Sequence, residues 1–279
     1  MDREIVFVIF GMLSLGPALY VFGHLGLKTQ LASSARDLEQ LRWRALWFPL
    51  LPVAFLTAAG IGWALVEPPD SETVPTWAAL AALPFCVVWC RAISRAVWSA
   101  RAHPPVPLAV GGLIHPRVIL APSFRDATEP IVLRAALLHE EAHVHHHDPL
   151  RILLAQVATD LQWPCGNARS RFAEWKVALE LARDEEARLA GADGADLATA
   201  VLQAARITPV PAFSYHTALH DGSASITIRI GRLLADLPPC ADVIAFTPHR
   251  VRALSLGVSA ALGAGCAWGE RLIQAMLGF

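Results

Sequence analysis

Four long runs without Lys, Arg, Asp or Glu are the feature that most restricts how this chain can fold. They span residues 5–27, 45–66, 74–90 and 253–269. A helix needs about 20 predominantly apolar residues to cross a bilayer. Only 17% of the residues are charged, against about 25% in ordinary soluble domains. The pattern predicts a mainly α membrane protein with four transmembrane helices.

The basic residues lie on one side of these runs. Lys and Arg are frequent in segment 28–44 and directly after the third run, whereas loop 67–73 has none. Because Lys and Arg concentrate in cytoplasmic loops, we expect a multi-pass protein of the inner (cytoplasmic) membrane with both termini outside. Its predicted parts are three membrane helices in 1–90, a cytoplasmic domain in 91–252, and a fourth membrane helix with a short tail in 253–279. The first run lacks a preceding basic flank and a cleavage site, so we expect a retained anchor.

A His-Glu-x-x-His motif, from His139 to His143, lies in an apolar stretch of the predicted cytoplasmic domain. Pro130 can begin a helix and Pro149 must end it, which places the motif on the last turns. Residues four apart share a helix face, so both imidazoles can reach one metal ion, while Glu140 can deprotonate a metal-bound water. This spacing is typical of zinc metalloproteases, whose catalytic ion needs a third protein ligand and an open position for water.

Two acids downstream can complete such a site. No Pro or Gly interrupts residues 167–190, which predicts one helix. On that helix Glu180 and Asp184 share an otherwise apolar face with Val177 and Ala187. Because burying an unpaired carboxylate is costly, we expect Glu180 as third zinc ligand and Asp184 bonded to the outer nitrogen of a ligand histidine. The alternative is an exposed acidic face that includes the two glutamates after Asp184.

The remaining sequence of this domain indicates short elements around the motif. Residues 107–112 and 117–120 read as two strands joined by a turn. A strand exposed beside the metal helix could hold a peptide by adding it to the sheet edge, although a plain structural hairpin explains the pattern equally well. Residues 150–161 and 196–206 read as helices, and 225–230 fits either a strand or the start of a helix.

Several other functions find no support in the sequence. The net charge of −1 gives no electrostatic basis for direct nucleic-acid binding. The five cysteines form no Cys-x-x-Cys pair, so we expect them to be reduced packing residues. His216 and His220 are also four apart, but Gly222 follows closely and we expect them in a loop. Ser214 has no evident base, so a serine hydrolase is not indicated.

The order of these features resembles the BlaR/MecR family of integral membrane zinc metallopeptidases. The similarity covers three apolar runs, a strand hairpin, a metal helix followed by Asp-Pro-Leu at 148–150, a Glu-x-x-x-Asp helix and a final apolar run. It includes the Gly-Leu-Ile-His-Pro sequence at 112–116 and the Arg-Ile pair at 229–230. Nearly the whole chain is covered.

The resemblance implies a gluzincin site in a cytoplasmic α+β zincin-like protease domain. Carried onto this chain, it places zinc on His139, His143 and Glu180, with Glu140 as general base and Asp184 as its supporting acid. It also implies that the substrate is a cytoplasmic transcriptional repressor or the protease itself, and that cleavage serves signal transduction.

Two features depart from the family pattern. Three histidines at 145–147 stand where the family usually has basic residues, and we expect a surface role rather than extra metal ligands for them. Better-known members also carry a penicillin-binding sensor domain after the last membrane helix. Only residues 271–279 follow that position here, so we expect no such sensor and look to a membrane or extracytoplasmic partner for the signal.

Two other functions share the same motifs. Membrane proteases of the HtpX and CAAX-processing types also combine His-Glu-x-x-His with a Glu-x-x-x-Asp helix, but they place their membrane helices differently around it. A non-catalytic, zinc-stabilised membrane signalling scaffold would keep the ligands and lose the reaction. Because His139, Glu140, His143 and Glu180 are all present, the sequence favours a peptidase.

Overall fold

Helices make up most of the structure, a computed structural model that describes residues 27–32, 34–50, 76–101, 107–163, 166–207, 217–218, 223–235 and 242–246. The helices are α1 (Ala35–Trp47), α2 (Thr76–Arg101), α3 (Pro122–Ala127), α4 (Pro130–His145), α5 (Asp148–Leu161), α6 (Gly166–Leu189), α7 (Gly194–Ile207) and α8 (Ser223–Ala235), with a 3₁₀ turn at Phe48–Leu50. The strands are β1 (Leu27–Leu31), β2 (Leu108–Gly111), β3 (Arg117–Leu120), β4 (Thr217–Ala218) and β5 (Asp242–Phe246).

The predicted fold class of four membrane helices and an α+β zincin-like domain is wrong. Among the residues that the structure describes, none of the helices combines the length and apolarity that a membrane crossing requires. The third predicted span, 74–90, falls on α2, whose uncharged part from Thr76 to Cys90 is 15 residues long, shorter than the about 20 required. The strands found there are few and short, in sheets of two and three, so they do not show an α+β zincin domain.

Helix α2 continues past its uncharged part because its basic residues have partners in the fold. Arg91 and Arg95 both pair with Asp160 of α5, at 3.0 and 2.8 Å, and Ser99 exchanges hydrogen bonds with Gln156. The second predicted span, 45–66, begins inside α1 and the 3₁₀ turn and otherwise lies outside the described residues, as do 5–26 and 253–269.

The predicted hairpin is confirmed. Strand β2 pairs antiparallel with β3, from Leu108 opposite Leu120 to Gly111 opposite Arg117, in a sheet ordered β3-β2-β4. Gly112 opens the turn with φ +93°, and a Cβ there would lie 2.5 Å from the carbonyl oxygen of His115. Only glycine tolerates both conditions. All of β2 is buried, whereas side chains of β3 alternate between exposed and partly buried.

Residues Gln30–Leu46 and Val88–Val243 form one compact unit, which holds all the site residues described below. The second unit comprises Met1–Thr29, Trp47–Val87 and Ile244–Phe279. The helices predicted at 150–161, 167–190 and 196–206 are confirmed as α5, α6 and α7, and the undecided residues 225–230 belong to α8. The predicted domain boundaries stay predictions.

Helix α1 belongs to this compact unit up to Leu46, although its residues were predicted to form part of the basic segment 28–44 and the start of the second membrane helix. Its apolar residues recur every three or four positions, with Ala35 and Leu38 packed against Ala178 and Ala182 of α6. Ser34 caps the first turn by accepting a bond from the backbone N–H of Asp37 at 3.1 Å. Such a cap contributes about 1 kcal/mol.

Candidate metal centre

Helix α4 places the two histidines of the motif on its buried face. Pro130 stands at its start, where its missing N–H costs no helical hydrogen bond. Val132 and Ala136 pack against the sheet side of the core, and one and two turns later the same face carries His139 and His143, both fully buried. The apolar packing of the first half therefore fixes the direction in which the two imidazoles point.

Helix α6 brings Glu180, the third candidate ligand and the acidic one, against α4. The Nε2 atoms of His139 and His143 are 3.1 Å apart. Oε2 of Glu180 lies 3.4 Å from the first of them, and Oε1 of Glu180 lies 3.7 Å from the second. One ligand atom from each of the three residues lies within 4.8 Å of the others. The side chains therefore converge on one point inside the protein.

The three residues fit a metal ion. A tetrahedral ion bound at about 2.0–2.2 Å keeps its ligand atoms roughly 3.3–3.5 Å apart, which matches the spacing of these atoms. The Nδ1 atom of each ring lies beside a carboxylate, which only accepts hydrogen bonds, so Nδ1 points its proton there and Nε2 faces the other two groups. Once His139 gives up the Nε2 proton that its raised pKa holds, the three groups are electron-pair donors that face one another and suit a cation. His139, His143 and Glu180 could hold a metal ion.

Asp184 and Arg229 stand behind His139. Oδ1 of Asp184 lies 3.0 Å from Nδ1 of His139. The guanidinium of Arg229 donates to both oxygens of Asp184, at 2.8 and 2.7 Å, and a third nitrogen lies 2.8 Å from Oε2 of Glu180. Arg229 is 1% exposed, so the two carboxylates share one buried positive charge.

The fold brings Arg229 to this place through a close contact of two helices. Ile226, Arg229, Ile230 and Leu233 follow helical spacing on α8, and Arg229 is the polar member of that buried face. A Cβ at Gly194, the first residue of α7, would lie 2.4 Å from the carbonyl oxygen of Leu233. A side chain at Gly194 would therefore push α8 away from the site.

His143 has a similar set of partners from other elements. Its Nδ1 atom lies 2.8 Å from Oδ2 of Asp148, which is fully buried at the start of α5. Arg183 donates to both oxygens of Asp148, at 2.5 and 3.1 Å, and Arg151 adds a bond at 3.0 Å. His147, with φ +53°, forms the tight connection that lets Asp148 turn back to the ring.

These surroundings shift the pKa values of the metal-binding groups in different directions. Burial lowers the pKa of His139, but Asp184 and Glu180 outweigh it and raise the value to about 9. Burial lowers the pKa of His143, and the carboxylates of Asp148 and Glu180 do not reverse that. Burial opposes ionisation of Glu180, yet Arg229 and the histidines bring its pKa down to about 2. Glu180 is therefore an anion at neutral pH.

Glu140 differs from every other acid around the site. It is fully buried, and neither of its oxygens has a hydrogen-bond partner within the described part of the chain. Burial raises its pKa to about 8, partly offset by the positive charge of His139. A buried carboxyl group without a partner is costly for stability, which favours a role in binding or chemistry at this position.

The structure brings all five residues named from the sequence into one place. His139, His143 and Glu180 converge, Asp184 meets the outer nitrogen of His139, and Glu140 follows His139 on the same helix, close enough for His139 and Glu180 to affect its pKa. Of the three adjacent histidines, His146 pairs with Glu186 at 2.9 Å, away from the cluster. His216 and His220 lie outside the described residues.

Sequence reasoning missed the roles of Asp148, Arg183 and Arg229. Asp148 had been noted only as part of the sequence after the motif helix, and Arg229 only as part of a resemblance. A helical reading of α8, with an arginine at the centre of its apolar face, would have pointed to a buried acidic partner. Arg183 carried no such signal, because it stands in a run of charged residues.

Comparison of the chain with protein-family models, curated proteins and solved structures finds no match. The resemblance to the BlaR/MecR family stays a prediction.

Proposed function

We propose that this protein is a zinc-dependent endopeptidase whose metal ion is held by His139, His143 and Glu180. The observation that carries the proposal is the buried convergence of these three groups next to Glu140, an acid whose oxygens have no hydrogen-bond partner among the described residues. A ligand set of two imidazoles and one carboxylate suits zinc and leaves a fourth position for water. Bound there, zinc would lower the pKa of a coordinated water towards about 7 and polarise the scissile carbonyl.

Glu140 supplies the proton transfers of the reaction. Its pKa is raised to about 8 in the metal-free protein, and the charge of a bound zinc ion would lower it, so that the group would be an ionised base near neutral pH. As the ionised base it takes a proton from the attacking water while the new carbon–oxygen bond forms. It then passes that proton to the leaving amine as the carbon–nitrogen bond breaks.

The sheet edge beside α4 supports a peptide as the substrate. Strand β3 is at one end of the order β3-β2-β4 within the described residues, and its residues Val118 and Leu120 pack against the core that α4 helps to form. Ile119 is 41% exposed on its other face. An extended peptide can add to such an edge through main-chain hydrogen bonds. The identity of the substrate as a cytoplasmic repressor or the protease itself, and the control by a sensor partner, stay predictions from the resemblance.

The burial of the site supports a second candidate, a non-catalytic metal centre. His139 and His143 are 0% exposed and Glu180 is 5% exposed, so a substrate would have little access to an ion held by them. The two candidates differ at Glu140. A structural site has no use for an unpartnered buried acid, whereas a hydrolase needs one.

The test compares Glu140→Gln with Glu141→Gln, the same change on the neighbouring exposed residue. Both variants and the wild type are loaded with zinc, and cleavage of a mixture of unstructured peptides is followed by mass spectrometry, together with self-cleavage. We expect Glu140→Gln to keep its zinc and lose about 10²–10⁴-fold in rate, and Glu141→Gln to match the wild type. Cleavage by Glu140→Gln at the wild-type rate would overturn the proposal. Zinc binding without any cleavage by the wild type would support the non-catalytic centre.

A further inference from the structure

Glu39 is a buried acid on α1, far in sequence from the metal centre. It is 4% exposed, on a face otherwise made of Ala35, Leu38 and Leu46. Its Oε1 atom accepts a hydrogen bond of 2.9 Å from the indole N–H of Trp175, and it forms a close ion pair with Arg151 of α5. An acid in such an environment is retained only if it has well-placed partners.

Arg151 connects this acid to the metal side of the domain. One nitrogen of its guanidinium bonds to Glu39 and another donates to Oδ1 of Asp148 at 3.0 Å. Its Cζ atom lies over the rings of Trp43 and Trp175, 4.8 and 5.8 Å from their centroids. These contacts hold the guanidinium group in place. Because that group is planar and rigid, the nitrogen bonded to Glu39 determines where the nitrogen bonded to Asp148 lies.

Asp148, held by Arg151, in turn contacts the ring of His143, one of the candidate metal ligands. Its Oδ2 atom contacts Nδ1 of His143 at 2.8 Å, and the Nε2 atom of the same ring faces His139 and Glu180. Three contacts, Glu39–Arg151, Arg151–Asp148 and Asp148–His143, therefore connect α1 to the ring that would bind the metal. A carboxylate that receives the outer proton of a ligand histidine sets both the tautomer and the ring orientation.

We propose that Glu39 and Arg151 are positioning residues of the metal centre, so that α1 completes the site by holding Asp148 and thereby the ring of His143. This inference rests on the proposed metal centre. Arg183 also holds Asp148, through bonds to both of its oxygens at 2.5 and 3.1 Å. Arg151 adds a second bond to Oδ1 at 3.0 Å, and it is the residue that connects Asp148 to α1.

The effect of these residues is expected to be smaller than that of Asp148 itself. Loss of a group that directly supports a metal ligand typically costs 10–100-fold in metal affinity. For Glu39, one ion pair further away, we expect a loss of roughly three- to tenfold. Glu39→Gln keeps the acceptor for Trp175 and removes only the charge that holds Arg151.

The experiment uses the full chain and measures zinc affinity by competition with a chelator, together with the visible spectrum of the cobalt(II)-loaded protein. The variants are Glu39→Gln, Arg151→Lys, Asp148→Asn and the double variant Glu39→Gln/Asp148→Asn. Lys cannot bond to Glu39 and Asp148 in the same fixed geometry. The control is Glu174→Gln, because Glu174 also lies where α1 meets α6, as its carbonyl accepts a bond from Arg42, but has no contact with Asp148.

We expect lower zinc affinity and an altered cobalt spectrum for Glu39→Gln and Arg151→Lys, and wild-type behaviour for Glu174→Gln. The loss caused by Glu39→Gln should disappear in the Asp148→Asn background, since contacts that act through one residue are not additive. If both variants bind zinc as the control does, or if the losses add, the positioning role is wrong while the metal centre stands. If the wild type binds no zinc, the proposed function and this inference both fail. Should Glu39→Gln not fold, Arg151→Lys gives the same test.

Discussion

Each histidine of the metal centre has a carboxylate against its Nδ1 atom and an arginine that holds the carboxylate. The residues of the two sets come from very different distances along the sequence. Behind His143, Asp148 comes five residues later and is held by arginines of α5 and α6. Behind His139, the acid lies on α6 and its arginine on α8. The first set is mainly local, whereas the second requires three helices distant in sequence to meet.

The two sets also differ in charge. Around His139 two carboxylates, Glu180 and Asp184, share Arg229, whereas around His143 one carboxylate has two guanidinium groups. Burial lowers the pKa of both rings; Asp184 and Glu180 outweigh it at His139, whereas Asp148 and Glu180 do not outweigh it at His143. The two supporting sets are therefore similar in geometry but opposite in net charge, which is negative behind His139 and positive behind His143.

The largest difference is expected between Arg229→Met and Arg183→Met. Without Arg229, two buried carboxylates lose their only guanidinium partner among the described residues, and breaking a buried ion pair in this way typically costs about 3–5 kcal/mol. Without Arg183, Asp148 still has Arg151. Urea unfolding of both variants in the presence of a chelator should show the greater loss for Arg229→Met. Equal losses would mean that the asymmetry of charge has no effect on stability.

A smaller difference is expected between Asp184→Asn and Asp148→Asn. Each change weakens the support of one ligand histidine and should lower zinc affinity by about 10–100-fold. Asp184→Asn should lower zinc affinity more. Arg229 then has Glu180 as its remaining charged partner and competes with the metal for the oxygens of Glu180. Chelator competition at one pH measures both. A larger loss for Asp148→Asn would show that the local set dominates binding.

The smallest effect concerns pH. The pKa of His139 rises from 6.5 to about 9 and that of Glu140 from 4.5 to about 8 on folding. Both groups bind protons more tightly in the folded state than in the unfolded state. Their contribution to the free energy of unfolding is therefore full at low pH and is lost as the pH rises through these values. The metal-free protein should therefore melt at a lower temperature at pH 9 than at pH 6.5. Glu140→Gln should weaken this dependence, and zinc, which displaces the proton of His139, should weaken it further.

The elements closest to the site were predictable because their signals are local. Prolines and helical spacing set the limits of α4 and α6, and the two pairs of residues four apart must each share a face. Gly112 and the short β-rich segments gave the hairpin for the same reason. These features need no knowledge of distant residues.

The remaining parts depend on long-range contacts. The apolar run at 74–90 predicts a membrane helix when taken alone, but α2 extends through Arg91 and Arg95, which both pair with Asp160. The roles of Glu39 and Arg229 follow only from partners more than 40 residues away, such as Trp175 for Glu39 and Asp184 for Arg229. A pattern of neighbouring residues in one sequence does not show which distant residues will pair.

Metal content measured by elemental analysis tests the central claim most directly. Wild type, His143→Ala, Glu180→Ala and Glu140→Gln are purified under the same conditions and dialysed against trace zinc. We predict about one zinc per chain in the wild type and in Glu140→Gln, and a loss of zinc in the two ligand variants, because three protein ligands are needed to hold the ion. A wild type without zinc, or ligand variants that retain it, would contradict the account.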